Sequence, residues 1–273
     1  MPRLLPSLTL GAIVVFAAGP AHSAEPTPDP WKTALAFDYN AAADTFAEFH
    51  AADPTDTRTA IAYASALLVK QPRTKANILL ARDLLLRAHH TAAASPDNRV
   101  LALYLLARVE LDHLDPAQPD SARSRLEQLR RDHPAHALSD QAAVQLAYFL
   151  AYPPAGPDTD ALPEIEKLLA SVQTPEAARD LHHLLGSFHL RLLRNASAAL
   201  PHFIAARAVG FEQPLRDAES DLTIANLARE TGDTALARKH YAAFLAAAPR
   251  DTRADTVRHL LASPEAPLAH PAQ

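Results

Sequence analysis

The chain contains no cysteine, six glycines and 6% aromatic residues in 273 positions. Without cysteine there is no disulfide, no thiolate zinc site, no cysteine nucleophile and no lipid-modified N-terminal cysteine. The glycines are Gly11, Gly19, Gly156, Gly186, Gly210 and Gly232. Phosphate-cradling loops need two or three glycines within about six residues, so that bare backbone amides can approach the phosphates. The last four glycines lie at least 22 residues apart, which excludes a dinucleotide fingerprint, a Walker loop and a G-x-S-x-G nucleophile elbow. β-Branched aliphatics are also scarce, with 15 valines and isoleucines together. What fills the space is 59 alanines and 41 leucines, both strong helix formers. A β-sandwich, a barrel or a parallel-sheet enzyme is therefore not expected.

The N-terminus has the three parts of an export signal. Arg3 gives a basic start, Leu8 to Ala18 is uncharged, and Gly19-Pro20 is followed by the small residues of Ala21-His22-Ser23-Ala24. The apolar run is 11 residues, short of the roughly 20 that span a bilayer. The expected organisation is a signal peptide at 1–24, a flexible lead-in at 25–29, a helical domain at 30–262 and a disordered Pro-rich tail at 263–273. Removing 1–24 takes one basic residue and leaves 25 against 31 acidic ones. That balance argues against nucleic acid, which calls for a basic patch. The expected location is the periplasm or outside the cell, with no stable membrane span.

Internal repetition organises the rest. An Ala is followed by a large residue four positions later and by an apolar or small residue three after that. The instances are Ala42-Phe46-Phe49, Ala81-Leu85-Ala88, Ala122-Leu126-Leu129, Ala161-Ile165-Leu168, Ala199-Phe203-Ala206 and Ala237-Tyr241-Phe244. The large residues are spaced by 39, 41, 39, 38 and 38. Steps of four and three place each triplet on one helix face, where the Ala admits a neighbouring helix and the large residue fills the space beside it. Pro54, Pro134 and Pro249 follow five residues after their triplets and stop those helices; Ala93, Gln173 and Phe211 stand there in the other three units. Each triplet helix is preceded by an amphipathic stretch, at 56–70, 97–113, 136–151, 176–193 and 216–230, with a short one at 30–37 and a closing helix at 252–262. Asp97, Ser139 and Asp217 are expected as N-caps.

This unit resembles a tetratricopeptide repeat, a helix–turn–helix that stacks into a right-handed superhelix. The best match runs from Asn226 through Gly232-Asp233 to Ala237, Tyr241, Phe244 and Pro249, with A-x₃-F…P spacing. Leu185-Gly186 with His189 matches the first-helix pattern, His standing for Tyr. Tyr39, Ala42, Phe46 and Pro54 match in the first unit, and Ala122, Leu126 and Pro134 in the third. The period is about 39 rather than the family's 34, which leaves other helical repeats, HEAT-like ones among them, open. The resemblance implies an all-α solenoid of about six antiparallel helix pairs with a capping helix. It further implies that each first helix lines a concave, peptide-binding face. Carried onto this chain, the face includes Tyr104 and Arg108, His183 and Ser187, and Asn226 and Arg229, with Arg and Asn suited to a carboxylate or a peptide backbone.

Other constellations read as structure. His133 and His136 flank Pro134 beside Asp132, the most metal-like grouping, and read as a surface turn. His182 and His189 share a face two turns apart, about 10 Å, too far for one ion. Asp158, Asp160, Glu164 and Glu166 suit a helix start, and Asn195-Ala-Ser197, a formal glycosylation sequon, reads as chance. No cofactor, metal or catalytic residue is expected. The expected function is a non-enzymatic interaction scaffold or adaptor of the cell envelope that holds a protein or peptide segment in its groove. The alternatives are an enzyme or accessory module acting on peptidoglycan, for which the repeats leave no separate catalytic domain, and a periplasmic chaperone or carrier with an apolar groove.

Overall fold

A computed structural model describes residues 29–262 apart from 92, 154, 155 and 157. The expected signal peptide, nearly all of the lead-in and the tail lie outside the described residues. Of the described residues 78% are helical, and none of them lies in a strand. The helices, in order, are α1 (Pro30–Leu35), α2 (Tyr39–Ala52), α3 (Thr57–Val69), α4 (Lys75–His90), α5 (Pro96–Arg108), α6 (Pro119–Asp132), α7 (Ala137–Ala151), α8 (Leu162–Ser171), α9 (Pro175–Arg191), α10 (Ala196–Val209), α11 (Pro214–Glu230), α12 (Thr234–Ala247) and α13 (Ala254–Ala262). A π-helical turn, Val109–His113, prolongs α5, and a short 3-10 turn, Thr159–Ala161, precedes α8.

The chain divides into two compact units, Met1–Arg99 and Val100–Gln273. In the first unit α1 packs on α2, α2 on α3 and α3 on α4. Trp31 meets Phe46 edge-on at 4.9 Å, and the Arg58 guanidinium lies 4.7 Å over the Trp31 ring. In the second unit α6 packs on α7, and α7 touches both α8 and α9. From α9 to α13 each helix packs on the next.

The starts and stops are local chemistry. Asp38, Asp56, Thr74, Asn195 and Asp233 each accept a backbone N–H of the helix that follows, satisfying donors that have no partner inside the helix. Helices α2, α6 and α12 end two residues before Pro54, Pro134 and Pro249. Their C-caps, Asp53, His133 and Ala248, sit at φ −137°, −137° and −133°, because a following proline disfavours the helical region.

Three expected N-caps prove to be something else. Asp97 lies in the first turn of α5, where Ser95 Oγ accepts the Asn98 amide. Ser139 is buried inside α7, which is capped by His136 through Nδ1 and the Leu138 amide. Asp217 lies inside α11 and accepts the Phe211 amide at 2.9 Å. In each case the residue type fits a cap, but tertiary contacts or a nearer side chain take the role.

The six recurring alanines are each 5% exposed or less, and the six large residues 4% or less. Burying a side chain of that size stabilises by about 1.5–3 kcal/mol, so each anchor contributes to the core on that scale. Among the third members Phe49 departs, at 42% exposed. The longest spacing, 41 residues between Leu85 and Leu126, spans the π-helical turn, which adds a residue to a helix without adding a loop. That turn carries Glu110, 0% exposed and held by Arg125 Nε at 2.8 Å.

Candidate functional site

The strongest convergence of polar and aromatic side chains lies across α7, α9 and α11. Tyr148 and Tyr152 are four residues apart at the end of α7, so they share a face, and their rings stack at 6.5 Å. Helix α9 contributes Arg179, Asp180 and His183 from its first half. Arg179 Nε donates to Asp180 at 2.9 Å, and its Nη1 donates to the Gly210 carbonyl at 3.1 Å. Gly210, at φ 82°, ends α10 in a conformation only glycine adopts readily. The turn delivers Phe211 between two guanidiniums, with Arg179 at 5.1 Å and Arg216 at 4.5 Å from its ring centre. His183 packs edge-on against Phe211 and Phe203, at 5.8 Å and 5.7 Å.

The charges couple across all three helices. Burial raises the Tyr148 pKa, the negative charge of Asp180 and the neighbouring Tyr152 add to this, and Arg216 opposes it. Burial lowers the His183 pKa, with Arg216 pushing the same way and Asp180 against. Arg179 is paired with Asp180, whereas Arg216 has no carboxylate within ion-pair distance among the described residues and is exposed. A guanidinium laid on an aromatic ring is held in one plane, with its donors turned outward. With the Tyr148 hydroxyl near enough to feel the Arg216 charge and Tyr152 stacked on Tyr148, the face can hold a carboxylate or peptide carbonyls.

Of the six residues read from the sequence as groove-lining, His183 belongs to this cluster. Ser187 is half-buried further along α9. Tyr104 and Arg108 lie together on α5, where Arg108 also holds Asp112 at 2.6 Å. Burial works against the Arg108 charge, but Asp112 and Tyr104 outweigh it and leave the pKa raised. Asn226 and Arg229 both engage the hydroxyl of Tyr241, Asn226 accepting from it at 2.8 Å. The structure therefore does not bring the six together.

It does bring together residues that sequence reasoning passed over: Tyr148, Tyr152, Arg179, Asp180, Phe211 and Arg216. Phe211 stood out in the sequence only as the residue in place of a proline. A tyrosine pair at helical spacing was the one further signal.

A second polar cluster joins α9 to α10. His182 Nδ1 and His202 Nδ1 are 3.0 Å apart, one donating and the other accepting, and His189 stacks on His202 at 5.5 Å. Sequence separation placed His182 and His189 too far apart to act together; His202 arrives between them from the other helix. Burial, then the neighbouring His182 and His189, push the His202 pKa down to about 4. Parallel rings do not aim their nitrogens at one point, and no group of three His, Asp or Glu among the described residues is arranged to hold a metal ion. His136 caps α7, so the histidines flanking Pro134 have a structural use. No helix among the described residues is long and apolar enough to cross a membrane. No protein-family model matches the chain, and no curated protein matches it.

Proposed function

We propose that this chain is an exported, tetratricopeptide-like interaction protein of the cell envelope. Its helices pair antiparallel, and the face built by α7, α9 and α11 takes a peptide segment of a partner protein. One observation carries the reading: side chains of three helices that are not consecutive in sequence converge around an unpaired, ring-stacked Arg216. Tyrosine and arginine on a rigid scaffold are the residue types that dominate binding energy at protein interfaces. The sequon-like Asn195 serves as the cap of α10, and His183, with its lowered pKa, stays neutral at pH 7 and offers the ligand a ring without a charge.

Selection of peptides from a phage-displayed random library on the purified protein tests this. The selected peptides should bind about tenfold more weakly to Arg216→Ala and to Tyr152→Ala, which is the usual scale of a hot-spot truncation. Peptides indifferent to both changes would sink the assignment of this face. Export is tested separately, by fusing residues 1–24 to a reporter enzyme that matures only outside the cytoplasm. An inactive fusion would remove the envelope from the proposal.

A further inference from the structure

A different surface, on the α6–α7–α8 layer, carries a charge the fold does not satisfy. The three helices enclose an open cleft of about 620 Å³, within the roughly 300–1,000 Å³ of ligand-sized clefts. Its floor is Leu146 and Leu150 of α7 with Leu168 of α8. On its walls Arg123 is paired with Glu127 at 2.9 Å, and Lys167 with Glu164 at 2.6 Å. Arg130 is not paired. Its Nη2 donates to Ser171 Oγ at 2.7 Å, its Nε is buried with no partner, and no carboxylate lies within ion-pair distance among the described residues. Asp140 is near enough for its charge to be felt, but its Oδ2 accepts the Gln173 and Thr174 amides at 2.9 Å and 2.7 Å. Arg131, at the rim, reaches only its chain neighbour Asp132, at 3.4 Å. Burial lowers the Arg130 pKa, with Asp140 opposing, as expected of a cation that lacks its counter-charge.

We propose that the α6–α7–α8 cleft binds an acidic segment of a partner protein, with a carboxylate on Arg130 and Arg131 and an adjacent aliphatic side chain on the leucine floor. Charge complementarity selects the occupant. The cleft holds four cations against two carboxylates, and Arg130 and Arg131, the two left without a firm partner, both line it, so a carboxylate seated there meets an excess of positive charge. Glu127 and Glu164 on the walls would repel a uniformly anionic bilayer but leave room for one acid between them. The cleft is open to solvent, so a long lipid chain would remain wet, whereas one leucine-sized side chain would be covered. This inference rests on the reading of the chain as an interaction protein but uses a surface separate from Arg216.

The test is fluorescence polarisation with a labelled peptide of alternating Glu and Leu, its Gln/Leu counterpart, and anionic phospholipid vesicles as competitor. The Glu/Leu peptide should bind saturably and more weakly as salt rises, and the Gln/Leu peptide should not. Arg130→Met, which keeps the apolar stem, should weaken binding about tenfold, the loss of one charge-assisted hydrogen-bonded pair. Arg131→Gln, away from the Ser171 contact, should give a loss of about threefold.

Equal binding of both peptides, or unchanged affinity of Arg130→Met and Arg131→Gln, would overturn the proposal. So would displacement by vesicles alone. Loss in Arg216→Ala with none in Arg130→Met would overturn the cleft and leave the α7–α9–α11 face standing.

Discussion

The α9–α10 and α11–α12 pairs bury the same pattern of small and large residues but handle their polar groups in opposite ways. In α9–α10 the anchor is Phe203, whose ring presses on Gly186, and beside it His182, His189 and His202 face one another with no acid among them. In α11–α12 the anchor is Tyr241, fully buried among alanines that include Ala225 and Ala228. Its hydroxyl donates to Asn226 at 2.8 Å. On α11 Asp221, 2% exposed, receives His240 Nδ1 at 2.8 Å and the Nε and Nη2 of Arg207, from α10, at 3.1 Å and 3.0 Å. A buried carboxylate is tolerated when charged donors satisfy it, whereas buried imidazoles facing one another are tolerated only uncharged. One contact is therefore closed by charge, the other by keeping charge away.

Truncating the anchors breaks the comparison most severely. Phe203→Ala and Tyr241→Ala should each cost about 3–5 kcal/mol, the lost burial plus the cavity left behind, read as a shift in the urea unfolding midpoint. Tyr241→Phe separates the pairs: it keeps the ring but strands Asn226, and should cost about 1–2 kcal/mol. Phe203 has no hydroxyl to lose. If Tyr241→Phe is neutral, the Tyr241 hydroxyl contributes nothing and the contrast with α9–α10 rests on Asp221 alone.

Acid should act on α9–α10 next. Folding lowers the proton affinity of His182, His189 and His202, the last to about 4 against an ordinary value near 6.5. The unfolded chain thus binds more protons over that window, and stability falls as pH falls from about 6.5 towards 4. His202 is only half-buried, so solvent screening reduces the effect to the order of 1–2 kcal/mol. The Glu166 charge near His189 works the other way, which makes His202 the dominant member. Urea unfolding at pH 7 and near pH 5 measures this, and His202→Phe should flatten the dependence. A profile equally steep in that variant would place the acid sensitivity elsewhere.

The repeat was legible because it rests on the commonest physical requirement in the chain. Each Ala–large pair is buried at a helix contact, and burial leaves a periodic trace in sequence. The proline stops were legible for the same local reason. What escaped was whatever depends on partners distant in sequence. His202 falls between His182 and His189 only because α10 folds back on α9. The resemblance puts Asn226 and Arg229 on a groove, and the Tyr241 hydroxyl that both engage comes from α12, 12 to 15 residues on. Phe211 and Arg216 meet through a turn whose signal, one glycine before an aromatic, is too common to select. The π-helical turn at Val109–His113 left no trace in the sequence beyond the longest of the five spacings, 41 residues.

Gly186→Ala is the finest probe of the contrast, and its sign depends on competing terms of similar size. A Cβ at Gly186 would lie 3.0 Å from two ring carbons of Phe203 and 3.1 Å from a third, so the ring must move by a few tenths of an ångström. Overpacking of this kind costs about 1–3 kcal/mol. Replacing glycine by alanine inside a helix returns about 1 kcal/mol, leaving a net loss of about 1 kcal/mol. Shortening the obstacle should reverse the sign: in a Phe203→Leu background the added methyl meets no ring, and Gly186→Ala should become neutral or stabilising. The coupling between the two changes, read from a double-mutant cycle, is then the measurable contact of glycine with ring. In α11 alanines already pack beside Tyr241, so Ala225→Gly should cost only the helix term plus a small void. Equal couplings in the two pairs would show that Gly186 is not there to admit Phe203.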